Sequence, residues 1–244
     1  MVATLAEHAA EAIGANSLKA RVCAYFHDIG KLSNPSYFTE NTFGVDRHQH
    51  LRPRMSALII INHVKEGLAM AARHKLRKPI REAIATHHGT SCVSFFLHRA
   101  QVEAEKTGDT VDPEDFRYPG PLPRSKEATI ISLVDACEAA SRSLEKPTHS
   151  KIENLVSEIF RNRLLDGQLA ESELTMTEIN TVQETIKKTL LTMLHGRIAY
   201  PKMISEHGSL VFEPPPSGES KESRAEPDPG SSEDDEPGKF AASQ

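Results

Sequence analysis

The sequence is poor in aromatic residues and cysteine, and it contains no tryptophan. Aromatic side chains make up 5% of the 244 residues, and the three cysteines, Cys23, Cys92 and Cys137, show no CxxC spacing. This pattern argues against a disulfide framework and predicts buried thiols in a reducing compartment. A core with so few aromatic residues must be built mainly from Leu, Ile, Val and Ala, a composition that favours packed helices over sheets.

Long apolar runs and a strong excess of basic charge are also absent. With no run of about 18 apolar residues, we expect no membrane insertion by this chain and a cytoplasmic location. The formal net charge of −5 is unlike the basic footprint of a protein that binds a DNA or RNA duplex. Nine acidic and three basic residues lie between Glu213 and Gln244. Residues 203–244 are therefore predicted to form an extended segment and a disordered acidic tail.

Helical periodicity runs through most of residues 1–202. The predicted helices cover residues 1–14, 17–31, 54–74, about 79–88, 91–106, 125–144, 150–165 and 175–195. Residues 33–53 and 107–123 are rich in Pro, Gly, Asn or Thr and are predicted to be loops. The predicted fold class is all-α, a single bundle of about eight helices.

Twelve histidines are a high count for this length, and they indicate a metal site. His27 and Asp28 are adjacent and lie near a predicted helix end. Imidazole suits transition metals, and a carboxylate can bridge two cations. The pair is weak evidence alone, but an apolar helix precedes it and a polar loop follows it.

Further candidate ligands lie in other predicted helices. His63 is in the middle of an apolar helix, and His87-His88 ends another helix. Asp135 lies in an otherwise apolar helix, where an ionised carboxylate is costly to bury unless it is paired or metal-bound. Such side chains can converge on one cluster, as in the metal sites of helical bundles.

Five stretches, in order, resemble the cytoplasmic HD domain of the seven-transmembrane HD family. They are HDIGK (27–31), SALIIINHVKEG (56–67), THHGTSCVSFFLHRA (86–100), FRYPGPLPRSKEA (116–128) and LVDACEAASRSL (133–144). The resemblance covers roughly residues 1–202. It implies an HD-type helical bundle and a metal-dependent phosphodiesterase that hydrolyses cyclic di-AMP to the linear dinucleotide pApA.

The resemblance also implies roles for particular residues. Two divalent metal ions, iron or manganese, would be held by His27, Asp28, His63, His87, His88 and Asp135. Asp28 would bridge the metals, and it is expected to be catalytic together with Lys31, a point charge near the substrate phosphate. His88, Arg117 and Tyr118 are expected to bind substrate, although a rigid Pro-rich connector explains Arg117 and Tyr118 equally well. Two such cations would activate a bridging water and stabilise the phosphoryl charge.

One histidine of the family has no counterpart in this sequence. It would fall two residues upstream of Met1, and His8 lies about 15 Å further along a helix. The chain is therefore expected to be a piece of a longer, membrane-anchored protein or a short form with a weakened first metal site. Two other functions remain open: an HD phosphohydrolase of another nucleotide, and a catalytically impaired nucleotide-binding signalling domain. Cyclic di-GMP is disfavoured as the substrate, because the HD-GYP signature of the enzymes that hydrolyse it is missing after His87-His88.

Overall fold

The computed structural model describes residues 1–41, 47–144, 147–195, 203–204 and 210–211. It divides into two compact units, Met1–Ile198 and Ala199–Gln244. The described residues of the second unit form an antiparallel pair of short strands, β1 (Met203–Ile204) and β2 (Leu210–Val211). The rest of the acidic tail lies outside the described residues, so its disorder stays a prediction, as does a domain boundary at residue 202.

Eight α-helices build the described part of the first unit, which confirms the predicted all-α fold. They are α1 (Val2–Ala12), α2 (Ser17–Phe26), α3 (Pro53–Arg73), α4 (Lys78–Thr86), α5 (Ser94–Thr107), α6 (Lys126–Arg142), α7 (His149–Leu165) and α8 (Met176–His195). Short 3-10 helices lie at Ile29–Ser33, Pro35–Tyr37, Thr39–Asn41, Arg47–His50 and Pro113–Phe116. None of the described helices is both long enough and apolar enough to span a membrane.

Local sequence signals explain several helix ends. Ser125 Oγ accepts a hydrogen bond from the Ala128 backbone N–H (3.4 Å) at the start of α6. At the start of α8, the Glu178 carboxylate accepts from the Thr175 N–H (2.8 Å), and Thr175 Oγ1 accepts from the Glu178 N–H (3.2 Å). This reciprocal pair is the capping box that the spacing predicts.

The second helix is shorter than predicted, and its large apolar side chains face solvent. It ends at Phe26, and the chain continues as a 3-10 helix from Ile29, so the prediction of one helix over residues 17–31 is wrong. Leu18 and Tyr25 are 67% and 62% exposed, because the small side chains of this helix form its buried side. The helix breaks where the following backbone packs directly against α3, a tertiary contact that periodicity does not encode.

The main core lies among α1, α2, α6, α7 and α8. Its fully buried members include Leu5, Ile130, Leu133, Val182 and Leu190. The central element is α6, whose residues are buried on most of its circumference, as is typical of a helix enclosed by others. Since Asp135 lies on this enclosed helix, its carboxylate is held by a rigid part of the bundle.

Candidate metal centre

His27 and Asp28 stand at the turn between α2 and the 3-10 helix at Ile29–Ser33. Gly30 allows this turn to contact the backbone of α3. A Cβ atom at Gly30 would lie 1.8 Å from the His63 carbonyl oxygen and 2.5 Å from the Gly67 nitrogen. Only a residue without a side chain fits so close to another backbone. The glycine therefore allows Asp28 to lie beside His63.

Backbone carbonyl groups determine the ring orientations of three histidines, which come from three different segments. The Nδ1-to-carbonyl pairs are His27–Ala24 (2.7 Å), His63–Ile60 (2.6 Å) and His87–Ile84 (3.0 Å). Since a carbonyl oxygen only accepts hydrogen bonds, Nδ1 is the donor in each ring. In the neutral ring, Nε2 then carries a lone pair, which is the arrangement found in histidines that bind metals.

The Nε2 atoms of His63 and His87 converge on one oxygen of Asp28. They lie 3.1 Å from each other and 3.3 and 3.6 Å from Asp28 Oδ1. That oxygen is buried and accepts no hydrogen bond. Two lone pairs and a carboxylate oxygen in such proximity repel one another unless a positive charge lies between them. The donor set therefore fits a cation.

These groups form two overlapping sets of candidate ligands. One ligand atom from each of Asp28, His63, His87 and His88 lies within 4.8 Å of the others, and the same holds for His27, Asp28 and Asp135. In the second set, His27 Nε2 lies 3.2 Å from Asp28 Oδ2 and 3.3 Å from Asp135 Oδ1. Asp28 belongs to both sets, with one oxygen toward each. All six residues predicted as metal ligands are therefore brought together.

Electrostatics give the histidines different charges in the metal-free protein. Although burial disfavours the imidazolium ion, the charges of Asp28 and Asp135 raise the pKa of His27 to about 10. In turn, His27 lowers the pKa of both carboxyl groups, although burial alone would raise it. Burial lowers the pKa of both His87 and His88. A proton on His27 therefore lies between the two carboxylates, while His87 and His88 remain neutral.

Metal binding at His27 is accordingly expected to release a proton. The ring is protonated at neutral pH, and a cation needs its Nε2 lone pair. As long as the pH is below the pKa of His27, metal affinity should therefore increase about tenfold for each unit by which the pH is raised. In the metal-free protein, the stability of the fold has the opposite dependence on pH. The stabilisation from the His27 ion pairs is fully present below about pH 6.5 and is lost as the pH rises toward 10. Calorimetric Mn²⁺ titrations in buffers with different protonation enthalpies would count the protons. A metal affinity that stays constant from pH 6.5 to 8.5 would contradict the expectation.

Lys31 lies at the edge of this cluster, beside Asp28 and Glu40. Its Nζ atom is 2.6 Å from Asp28 Oδ2 and 2.6 Å from Glu40 Oε1. Although burial disfavours the ammonium ion, these carboxylates raise the pKa of Lys31. Glu40 had no predicted role, because a carboxylate in a polar loop carries no local signal of its partner.

Tyr118 and Arg117, predicted together as substrate-binding residues, point to different places. The Tyr118 ring stacks on the His88 ring, with centroids 4.2 Å apart and planes inclined by 24°. The Arg117 guanidinium donates to the Thr90 carbonyl oxygen (2.9 Å) and to both carboxylate oxygens of Asp166 (3.2 and 3.0 Å). Tyr118 therefore lies at the metal centre, whereas Arg117 ties two loops together. Their roles toward substrate stay predictions.

This cluster on a helical bundle agrees with the family that the sequence matches. The chain belongs to the HD domain family, whose pattern matches residues 1–140. It is 46% identical over 203 residues to the cyclic-di-AMP phosphodiesterase PgpH of Bacillus subtilis (strain 168). The aligned region covers 83% of this chain and 28% of that protein. The chain is 41% identical over 202 residues to PgpH of Listeria monocytogenes serotype 1/2a, covering 82% of this chain and again 28% of the relative. The chain thus spans less than a third of these curated relatives.

A solved structure has the same fold. The crystal structure of the L. monocytogenes PgpH HD domain in complex with cyclic-di-AMP aligns with a TM-score of 0.75 and 41% identity, over 79% of this chain and 89% of that one. These similarities confirm the family predicted from the sequence. The helical unit is an HD domain like that of the PgpH relatives, and its His/Asp cluster is a candidate site for metal ions.

Proposed function

We propose that this chain hydrolyses a cyclic dinucleotide, cyclic di-AMP, to pApA at a centre of two divalent metal ions. The observation that carries the proposal is that Asp28 belongs to two ligand sets and offers one oxygen to each. The names of the two PgpH relatives support the substrate, as does the solved HD domain in complex with cyclic-di-AMP.

The proposed ligand assignment follows the two sets. His27, Asp28 and Asp135 would hold one metal, and Asp28, His63, His87 and His88 would hold the other. Mixed imidazole and carboxylate ligands suit iron or manganese, whereas sites for magnesium or calcium are dominated by oxygen. When bound, such a pair of ions supplies an activated water and neutralises charge on the phosphoryl oxygens.

Side chains around the ligands would bind and orient the substrate. Lys31 is within contact distance of Asp28, so its ammonium can reach a phosphate held at the same place and act as a point charge. Tyr118 stays neutral, because burial and the charges of Asp135 and Asp28 raise its pKa. Its ring is stacked on the His88 ring and would therefore hold that ligand in place. Arg117 could contact substrate only after it leaves Asp166.

The proposed location is the cytoplasm. Cys23, Cys92 and Cys137 are all free, and burial raises the pKa of the Cys23 and Cys137 thiols to about 11 and about 12. Unpaired thiols of this kind are typical of a reducing compartment.

The direct test is turnover by the purified chain loaded with Mn²⁺ or Fe²⁺. We expect about two metal equivalents and conversion of cyclic di-AMP to pApA, measured by metal analysis and chromatography. Cyclic di-GMP and linear dinucleotides serve as competing substrates. Absence of pApA from a chain that holds two metal equivalents would overturn the proposal.

A signalling domain without turnover is the second candidate. It is favoured by one observation: among the described residues, the first ligand set has three protein groups, whereas the second has four. One metal equivalent or none, together with binding of cyclic di-AMP that is not followed by hydrolysis, would support this candidate over the enzyme.

A further inference from the structure

We propose that Gln168 is a positioning residue for the metal centre, because its side-chain amide fixes the turn that carries His87 and His88. The inference rests on the proposed function, since both histidines are proposed ligands of the second metal. Gln168 lies in the loop between α7 and α8 and was not predicted as a functional residue.

The end of α7 brings Gln168 to this turn. Gly167 has a φ angle of +71°, the Gln168 N–H donates to the Arg163 carbonyl (2.9 Å), and the Gly167 N–H donates to the Leu164 carbonyl (3.1 Å). These bonds form a Schellman motif, which ends the helix and reverses the chain. Gln168 is consequently only 1% exposed. The backbone hydrogen bonds of this motif therefore determine the position of Gln168.

The Gln168 amide uses both its acceptor and its donor atoms. Its Oε1 atom accepts from the Thr90 backbone N–H (2.9 Å), and its Nε2 atom donates to Thr90 Oγ1 (2.9 Å) and Asp166 Oδ2 (2.9 Å). A buried amide that lost these partners would pay the full desolvation penalty of its polar atoms. These hydrogen bonds therefore hold Gln168 and Thr90 in one relative orientation.

The turn that Gln168 contacts has little freedom to move. A Cβ atom at Gly89, whose φ angle is +53°, would lie 2.4 Å from Gln168 Oε1. The Ser91 backbone N–H and hydroxyl both donate to the His88 carbonyl oxygen, at 3.0 and 2.7 Å. Gln168 thus touches the residue directly after His88 and hydrogen-bonds to the next one. It sets the direction in which the chain leaves the two histidines.

The same network reaches the aromatic neighbour of His88. Asp166 accepts from Gln168 and from Arg117, and Arg117 also donates to the Thr90 carbonyl oxygen. The adjacent Tyr118 N–H donates to the Ser91 carbonyl (2.9 Å), and its ring stacks on His88. The His88 ring is therefore restrained through its own turn and through Tyr118.

The test compares two substitutions of Gln168 with the same substitutions of Gln183. Gln168→Met keeps the length of the side chain without its hydrogen bonds, and Gln168→Glu places a second carboxylate beside Asp166. Gln183 offers a matched control, because its Nε2 atom donates to Ser157 Oγ (3.1 Å) between α8 and α7 rather than at the metal centre. The readouts are Mn²⁺ affinity, by competition with a chelator, and hydrogen exchange of the Thr90 amide in the metal-free protein.

We expect Gln168→Met to weaken Mn²⁺ binding by about 10-fold, the lower end of the effect of removing a group hydrogen-bonded to a metal ligand, because Gln168 acts through the turn. It should also speed exchange of the Thr90 amide, while Gln183→Met leaves both readouts unchanged. Wild-type affinity in Gln168→Met, or an equal loss in Gln183→Met, would overturn the inference. If the Gln168→Glu variant fails to fold, the uncharged Gln168→Met variant alone decides whether Gln168 positions the metal ligands. If the wild-type chain bound no metal, the proposed function would fail, and Thr90 exchange would still decide whether Gln168 holds the turn.

Discussion

Substitution of Asp28 by Asn is expected to lower the rate of the proposed cyclic di-AMP hydrolysis by more than about 10³-fold, beyond the loss usual for one stabilising group. Asp28 is the residue that belongs to both ligand sets, and although burial disfavours the charged form, the charge of His27 keeps it a carboxylate in the metal-free protein. The amide has the same shape but no charge, so it cannot bridge two cations. Metal content and kcat, measured on the same preparation, would check the result.

Asp112→Asn is the matched control for this substitution. Asp112 is exposed and accepts a hydrogen bond from the Glu114 N–H (3.0 Å), which an asparagine oxygen can also accept. The control should keep wild-type metal content and turnover. An Asp28→Asn variant that kept two metal equivalents and most of the activity would show that the carboxylate does not bridge the metals.

Gly30→Ala is expected to lower the free energy of unfolding by about 3 kcal/mol or more, the upper range for an overpacked site. The added methyl group would lie 1.8 Å from the His63 carbonyl oxygen and 2.5 Å from the Gly67 nitrogen. Both are backbone atoms of α3, which cannot move aside as a flexible side chain does. A loss of this size changes the folding equilibrium more than about 100-fold. Urea unfolding of the metal-free protein would measure it.

Gly14→Ala provides the comparison for this effect. Gly14 has a φ angle of +69°, but a Cβ atom there would meet nothing within 4 Å. The alanine would therefore suffer only backbone strain, of about 1–2 kcal/mol. If Gly30→Ala were no less stable than Gly14→Ala, the close approach to α3 would not be the reason for the glycine.

The helices and the set of candidate ligands were predictable because their signals are local or carried by the family resemblance. Apolar periodicity identified eight helices, and the Thr175–Glu178 spacing identified a capping box. Asp135 stood out as a carboxylate within an apolar stretch. In each case a short stretch of sequence contains both the residue and the reason for its position.

Contacts between distant segments were not predictable in the same way. Gln168 and Thr90 are 78 residues apart, and neither side chain is unusual for a loop. Lys31 was expected at a phosphate, but its pairing with Glu40 depends on how the following loop folds back. Arg117 was expected at the substrate, yet its partner Asp166 lies 49 residues away. Such pairings follow from tertiary packing, which propensity and spacing do not determine.

Each of His27, His63 and His87 is oriented by the carbonyl group of the residue three positions earlier in the chain, and His87 also by that of Ala83. The acceptor is a backbone atom of the preceding helical turn, and every amino acid supplies it. Replacing the side chain of Ala24, Ile60 or Ile84 therefore does not remove the acceptor. Only a residue that bends the helix, such as proline, would turn these imidazoles away from Asp28.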